Sequence, residues 1–400
     1  MLGMERSTDE LSGGNSYRCG MTNTLSPLES AHHDSADHPA ITTPVPDIDF
    51  AAVEAFAGQV VSDFAGAATT AMTVIGDRLG LFDAMTGSGP VSAAELAQHT
   101  GLHPRLVTEW LSSQVVSGYL RHAAGSGRFE LPIEHAMALS VAASPAYVVG
   151  AAEVVAGQFA TLGHLERAFR TDGAVDYAHF PDTVTHGIER FFRTAYVHHL
   201  VDDWFPAVDE LVGKLADGAR VADIGCGHGA ATLVMAQAWP RSTFTGFDLD
   251  ERAITVARSR ATDAGAGATV SFEVADGTGF GPGPYDVVAF FDALHDLGDP
   301  VAVLRRAHEL LSPGGIVVAV EPWSTDRLDD SIGNPIARLD YAISTSMCTP
   351  TSLAQPGGYA LGTCGGPGRR LELLTGAGFV DARVAVDTGQ NLVLTARVAG

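Results

Sequence analysis

Basic residues are scarce in this chain: 24 Lys and Arg stand against 47 Asp and Glu over 400 residues, a formal charge of -23. A surface so acidic repels a phosphate backbone and an anionic bilayer, which excludes nucleic acid and membrane surfaces as general partners. Cysteine is scarcer still, at Cys19, Cys226, Cys348 and Cys364 only, with no C-x-x-C spacing. That is too few for a disulfide framework and points to a reducing cytoplasm. Long apolar runs are missing as well. The most apolar stretch, Met137 to Phe159, is interrupted by Pro145 and Glu153, so no segment is expected to span a bilayer. The N-terminus lacks the basic patch and compact apolar stretch of a secretory signal. What is present is 46% hydrophobic content, more than one small core needs, which predicts a soluble chain of two domains with a tail.

Residues 1–46 carry Ser, Thr, His, Asp and Pro with few large apolar side chains and are expected to be disordered. From Asp49 the apolar residues fall at helical spacing, Ala52, Val53, Phe56, Val60, Val61 and Phe64, then Met72, Val74, Ile75, Leu79 and Phe82, which predicts at least two helices. Ser92 can cap a short helix carrying Leu96, and Gly101 turns into a second carrying Leu106, Val107, Trp110 and Leu111, a helix-turn-helix pattern. A hairpin, Tyr119 to Arg121 with Arg128 to Leu131, completes a winged helix within 47–140. Its second helix has Arg105 but also Glu109 and no cluster of Lys and Arg, so dimerisation or closure of a pocket is expected rather than DNA binding. Residues 141–208 read as a helical linker whose last helix supplies pocket candidates Arg193, Tyr196 and His199. His198 and His199 point about 100° apart on a helix, whereas paired ligands usually sit four apart, so a metal is not expected there.

After Gly218 strands and helices alternate as in a doubly wound α/β sheet. Five strands are expected: Arg220 to Ile224, Thr243 to Phe247, Thr269 to Val274, Tyr285 to Phe291 and Gly315 to Val320. Asp248, Asp276, Asp292 and Glu321 stand at or just past the carboxyl ends of the last four, where open α/β sheets bind ligands. VADIGCGHGAATL, Val221 to Leu233, is a buried strand, a turn with Gly225, Gly227 and Gly229, and a helix. Glycine there lets the backbone approach a ligand and offer its N–H groups. Asp248, nineteen residues after Gly229, is placed to accept hydrogen bonds from ribose hydroxyls. A nicotinamide-binding domain fits this pattern equally well. Asp223 before the first glycine, Asp276 on the third strand, the preceding helical domain and a closing hairpin separate the two readings.

With those motifs in order, residues 209–400 resemble a class I S-adenosylmethionine-dependent methyltransferase. The resemblance implies a Rossmann-like seven-stranded sheet behind an N-terminal winged-helix domain. It implies that Gly225, Cys226, Gly227 and Gly229 wrap the methionine portion and that Asp223 anchors the loop or the amino group. Asp248 would hold the ribose, Leu249 the adenine face, and Asp276 with Gly277 the adenine edge, while Phe291 and Asp292 would meet the methionyl end. S-adenosylhomocysteine would be the product. The winged helix narrows the likeness to dimeric small-molecule O-methyltransferases and an actinobacterial branch, with a homodimer through the N-terminal domain.

His295 follows strand four by a few residues on the ligand side of the sheet. The resemblance makes it a general base toward a small, partly apolar acceptor, and imidazole titrates in the right range. Asp296 could orient it, and Glu321 is a second acid-base candidate. The insertion 324–368 reads as a lid, with Tyr341, Met347 and Cys348 as acceptor-lining candidates. Cys348 and Cys364 are not expected to hold a metal, because no His or Asp clusters with them in sequence. Two other functions remain open at this point: a rearrangement or cyclisation assisted by the sulfonium charge, and a winged-helix regulator that senses the donor.

Overall fold

The structure is a computed structural model that describes residues 48–363 and 365–400. The expected tail 1–46, Cys19 and Cys364 lie outside the described residues. The chain divides into two units, Met1–Gly58 and Gln59–Gly400. Of the first, only the opening of one helix falls among the described residues. The second holds most of the part expected at 47–140 and the parts expected at 141–208 and 209–400.

The long N-terminal pattern is one unbroken helix, α1, Phe50–Arg78, followed by a short one, α2, Leu81–Met85. Gly80, at φ 65°, makes the break. In α3, Ala93–Thr100, the Ser92 hydroxyl accepts the Glu95 N–H at 3.2 Å and the Glu95 carboxylate accepts the Ser92 N–H at 2.7 Å. This reciprocal cap fixes the helix start. Gly101 ends it at φ 70°, and Pro104 opens α4, Pro104–Val116. The hairpin β1, Arg121–Ala123, with β2, Arg128–Glu130, is antiparallel, and Val91 bridges to Phe129. Phe82, Leu96, Trp110, Leu111 and Phe129 form the core of this part.

Helices α5, Ile133–Leu139, α6, Gly150–Arg170, and α7, Asp182–Ala195, lead into a widened π turn, Tyr196–Trp204, and α8, Leu211–Asp217. α6 and α7 cross at two glycines. A Cβ on Gly150 would meet the Gly187 carbonyl at 2.6 Å, and one on Gly187 would meet the Gly150 carbonyl at 2.7 Å. Only glycine lets the backbones come so close.

The remainder alternates as expected: β3 Arg220–Ile224, α9 Ala230–Ala238, β4 Thr243–Asp248, α10 Glu251–Asp263, β5 Val270–Val274, β6 Tyr285–Phe291, α11 Pro300–Leu310 and β7 Leu311–Pro322. β7 begins four residues before the expected strand because Leu311 already pairs with Tyr285, after which the register shifts. Helices α12 Leu328–Ser331, α13 Pro335–Ile343 and α14 Thr349–Ala354 occupy the insertion, and α15 Pro367–Gly376 precedes the hairpin β8 Val380–Asp387 with β9 Asn391–Arg397. The sheet order is β5-β4-β3-β6-β7-β9-β8. The first five strands are parallel and β9 runs antiparallel to both its neighbours. Successive residues of the central strands go to opposite faces: Val221, Val287 and Val318 pack with Trp204, Phe205 and Met235, while Ala222, Val288 and Val317 pack with Phe247, Leu304 and Leu394. Both faces are buried, as in parallel sheets covered by helices. The strand order reverses between β3 and β6, and the crevice beyond their carboxyl ends is where such sheets bind ligands.

Candidate functional site

That crevice holds a cavity of about 320 Å³. Its floor is the turn after β3, where Gly225 and Gly227 have φ 74° and 50°. A Cβ on Gly225 would strike Ala293 at 2.6 Å, whereas one on Gly227 would stand in open space, so the loop is tight on its protein side and free on its cavity side. The Gly227 N–H donates to Asp248 Oδ2 at 2.9 Å and the Asp250 N–H to Asp248 Oδ1 at 2.9 Å. Asp248 therefore ties the turn to the end of β4.

Buried polar atoms of the lining without a hydrogen-bond partner include Asp223 Oδ1, Asp292 Oδ1 and His228 Nδ1. The other oxygens of the two acids are held, Asp223 by the Thr232 hydroxyl and Asp292 by the Tyr196 hydroxyl, each at 2.5 Å. Burial pushes Asp223 up to about 7 and Asp292 up to about 8. Asp292 keeps a left-handed backbone, φ 52°. Asp340 is partly buried here and is raised to about 6. Among the described residues that line the cavity there is no Lys or Arg. Buried carboxylates without a cation beside them favour a positively charged ligand. The pyrophosphate of a nicotinamide dinucleotide would find no Lys or Arg in this lining to pair with, which disfavours the alternative that the glycine pattern left open.

Opposite the glycine turn lies His295. It is 4% exposed and Glu321 is fully buried. The Glu321 carboxylate is hydrogen-bonded to His295 Nδ1 at 2.8 Å and to the Leu294 N–H at 2.9 Å, and the Arg370 guanidinium is ion-paired with it at 3.6 Å. Arg370 is itself held by the Pro322 and Thr363 carbonyls and the Ser324 hydroxyl. Burial works to raise Glu321, but the imidazole and the guanidinium outweigh it and hold the carboxyl below its usual range. For His295, burial works downward, and the charges of Asp296 and Glu321 overcome it and lift the imidazole well above its ordinary value. Its other nitrogen, Nε2, lies 3.3 Å from Asp296 Oδ1.

Of the residues singled out from sequence, Asp223, Gly225, Cys226, Gly227, Asp248, Leu249, Phe291, Asp292, His295, Asp296, Tyr196, Met347 and Cys348 line the cavity. The others do not. Gly229 turns inward at φ 77° against Phe272, where a Cβ would sit 2.5 Å from the ring. Gly277 is packed against Val303. The Asp276 carboxylate is closed into its own turn by the Thr278 N–H and hydroxyl and the Gly279 N–H, so it does not reach the cavity wall. Glu321 stands behind His295. Arg193 pairs with Glu189 one turn earlier on the helix, and His199 faces outward onto Asp203 at 2.6 Å. Tyr341 is rotated off the face of α13 that carries Leu339, Asp340 and Ile343. The structure adds Tyr177, His228, Glu189, Asp340 and Gln355 to the wall. His228 was legible within G-C-G-H-G, and the other four carry no sequence signal. One premise is overturned outright: Cys348 does have clustered partners, His295 and Asp296, brought to it by folding.

Residues 215–348 match the family model described as a methyltransferase domain, and residues 67–141 match an Rv2258c-like winged HTH domain. The chain carries a methyltransferase domain behind a winged helix. A ubiquinone biosynthesis O-methyltransferase of Pseudomonas aeruginosa is 37% identical over 111 residues, 28% of this chain and 46% of that protein. The chain thus spans less than half the length of the curated relatives it matches. Human N-acetylserotonin methyltransferase in complex with SAM superposes with a TM-score of 0.62 at 20% identity, covering 86% of this chain and 98% of that one. An O-methyltransferase fold from Nostoc punctiforme superposes at 0.61 and 22% identity, over 89% and 100%. At these identities the likeness establishes the fold: a Rossmann-like methyltransferase sheet with an N-terminal winged-helix part. S-adenosylmethionine, a cation with an adenosine, fits the residues present. The unpartnered oxygens of Asp223 and Asp292 and the open side of Gly227 are of the kind such a cation needs.

Proposed function

We propose that this protein transfers a methyl group from S-adenosylmethionine to an oxygen of a small, partly apolar acceptor, with His295 as general base. The observation that carries the reading is the cavity itself, with buried carboxyl groups at the glycine turn on one side and a carboxylate-held imidazole on the other. The donor supplies an electrophilic methyl group on a sulfonium. Gly225, Cys226 and Gly227 would hold its methionyl portion, Asp223 and Asp292 its positive charge, and Asp248 its ribose. Phe191, Phe192, Ile188 and Met347 give the acceptor end an apolar lining, so the two reactants are brought together where water is excluded.

At His295, Nε2 faces the cavity side and takes the acceptor's proton, while Nδ1 stays bonded to Glu321. Glu321 fixes the tautomer and stabilises the imidazolium that results. Because the neighbouring acids raise His295, it becomes a free base only above the ordinary imidazole range, and turnover should rise with pH through a value above 6.5. Asp276 and Gly277 would act at one remove, shaping the adenine end, and Asp296 would orient the base. The winged helix is read as a dimer element: Leu106 and Val116 of α4 are exposed, and Arg105 is paired with Glu109 rather than free for phosphate. No helix among the described residues is long and apolar enough to cross a membrane, in keeping with a cytoplasmic setting. The test is His295→Ala: turnover falls by about 10²–10⁴ while donor affinity stays within about twofold, and unchanged turnover refutes the base.

A further inference from the structure

The mechanism uses His295 but leaves Cys348 unexplained. Cys348 ends the π turn Ser344–Cys348 and is 3% exposed. Its Sγ accepts a hydrogen bond from the Thr363 hydroxyl at 3.0 Å; burial pushes the thiol up, so a thiolate forms there only with a cation bound to it. Sγ, the His295 ring nitrogen and an Asp296 carboxylate oxygen all lie within 4.8 Å of one another. They come from two segments, the turn after β6 and the insertion, which Gln355 clasps together by donating to the Asp296 carbonyl at 2.8 Å and accepting the Gly298 N–H at 3.1 Å.

We propose that His295, Asp296 and Cys348 form a zinc site whose filling switches the base off. Nitrogen, oxygen and thiolate sulfur are the donor types zinc takes, and three protein ligands with a fourth position open is its habit in reactive sites. All three residues line the same cavity, so the fourth position faces the acceptor end. Bonds of about 2.0–2.3 Å require the donors to draw together by roughly an ångström, which the partly exposed Asp296 side chain permits. The outer shell is already built: metal-bound histidines hold their second nitrogen on a carboxylate, and here His295 Nδ1 is on Glu321 with Arg370 behind it. Charge balances, since Zn²⁺ meets one thiolate, one carboxylate and a neutral imidazole. Binding releases the Cys348 thiol proton and the Nε2 proton to solvent, and no redox change is involved. With its lone pair on the metal, Nε2 cannot accept the acceptor's proton. The switch rests on the reading of His295 as base, whereas coordination does not.

The test uses the purified full chain stripped with a chelator. Equilibrium dialysis against Zn²⁺ is expected to give one tightly held ion per chain. Co²⁺ alone should produce a near-ultraviolet thiolate charge-transfer band with visible bands of four-coordinate cobalt. Cys348→Ser should remove the thiolate band, and Asp296→Asn, at a partly exposed position suited to survive the change, should weaken either metal at least tenfold. In the zinc-filled protein the His295 ring signals in NMR should stop responding to pH. Absence of stoichiometric metal, a cobalt spectrum unaltered by Cys348→Ser, or a His295 ring that still titrates at full occupancy overturns the proposal. None of these readouts needs an acceptor, so a failure of the methyl-transfer reading shows separately, in His295→Ala turnover.

Discussion

Binding of the donor should be coupled to proton release, because the two carboxylates that meet its charge are partly protonated beforehand. With Asp223 near 7 and Asp292 near 8, about half a proton resides on the first at pH 7 and about nine-tenths on the second. A cation beside them favours the ionised forms, so up to about 1.4 protons leave per donor bound at pH 7. The same linkage fixes the direction of the affinity change. Both acids are raised, so the free protein resists binding most at low pH, and affinity should rise about 50-fold between pH 6 and pH 7. Asp292→Asn leaves Asp223 alone to titrate, which cuts the rise to about fivefold. Titration calorimetry in two buffers of different ionisation enthalpy, corrected for the ligand's own amine, reads both quantities. Equal heats in the two buffers, or an affinity flat from pH 6 to 7, would refute the assignment of these acids to the donor's charge.

Other perturbations separate the parts of the site. Asp248→Ala should weaken the donor at least tenfold, since it removes both the ribose acceptor and the anchor of the Gly227 and Asp250 N–H groups; an unaltered dissociation constant counts against it. Glu321→Gln should lower the apparent pKa that governs turnover toward the ordinary imidazole value and cut the rate, and a pH–rate profile superimposable on the parent's would show that Glu321 does not tune His295. Gly187→Ala drives a methyl group into the Gly150 carbonyl and should destabilise the fold by about 1–3 kcal/mol, measured by urea unfolding; a stability within about 0.3 kcal/mol of the parent would mean that α6 and α7 slide apart freely.

The strands were legible because the central ones are runs of buried Val, Ile, Phe and Ala bounded by glycine or an acid, whereas their order in the sheet is not written in that pattern. Asp223, Asp248, Asp292 and His295 were legible for the same reason: a residue at the end of such a strand has few places to point. Helix faces were harder. Tyr341 is a lining candidate by sequence, but one residue turns a helix by about 100°, and packing places its neighbour Asp340 on the cavity instead. Arg193 and His199 stand at a junction, which points to a pocket, but each has an acid on its own helix, Glu189 and Asp203, that turns it aside. Asp276 looked free at the end of β5, yet its own turn supplies three donors. The cluster around Cys348 was invisible because fifty-odd residues separate it from His295, and no local spacing encodes a contact made by an insertion folding back.

A crystal structure with S-adenosylhomocysteine bound tests the central claim most directly. The expected result is ribose hydroxyls on the Asp248 carboxylate, the amino group near Asp223 Oδ1, and the sulfur facing His295 across the cavity. Product bound elsewhere, or a cavity that admits the nicotinamide dinucleotide in its place, would contradict it.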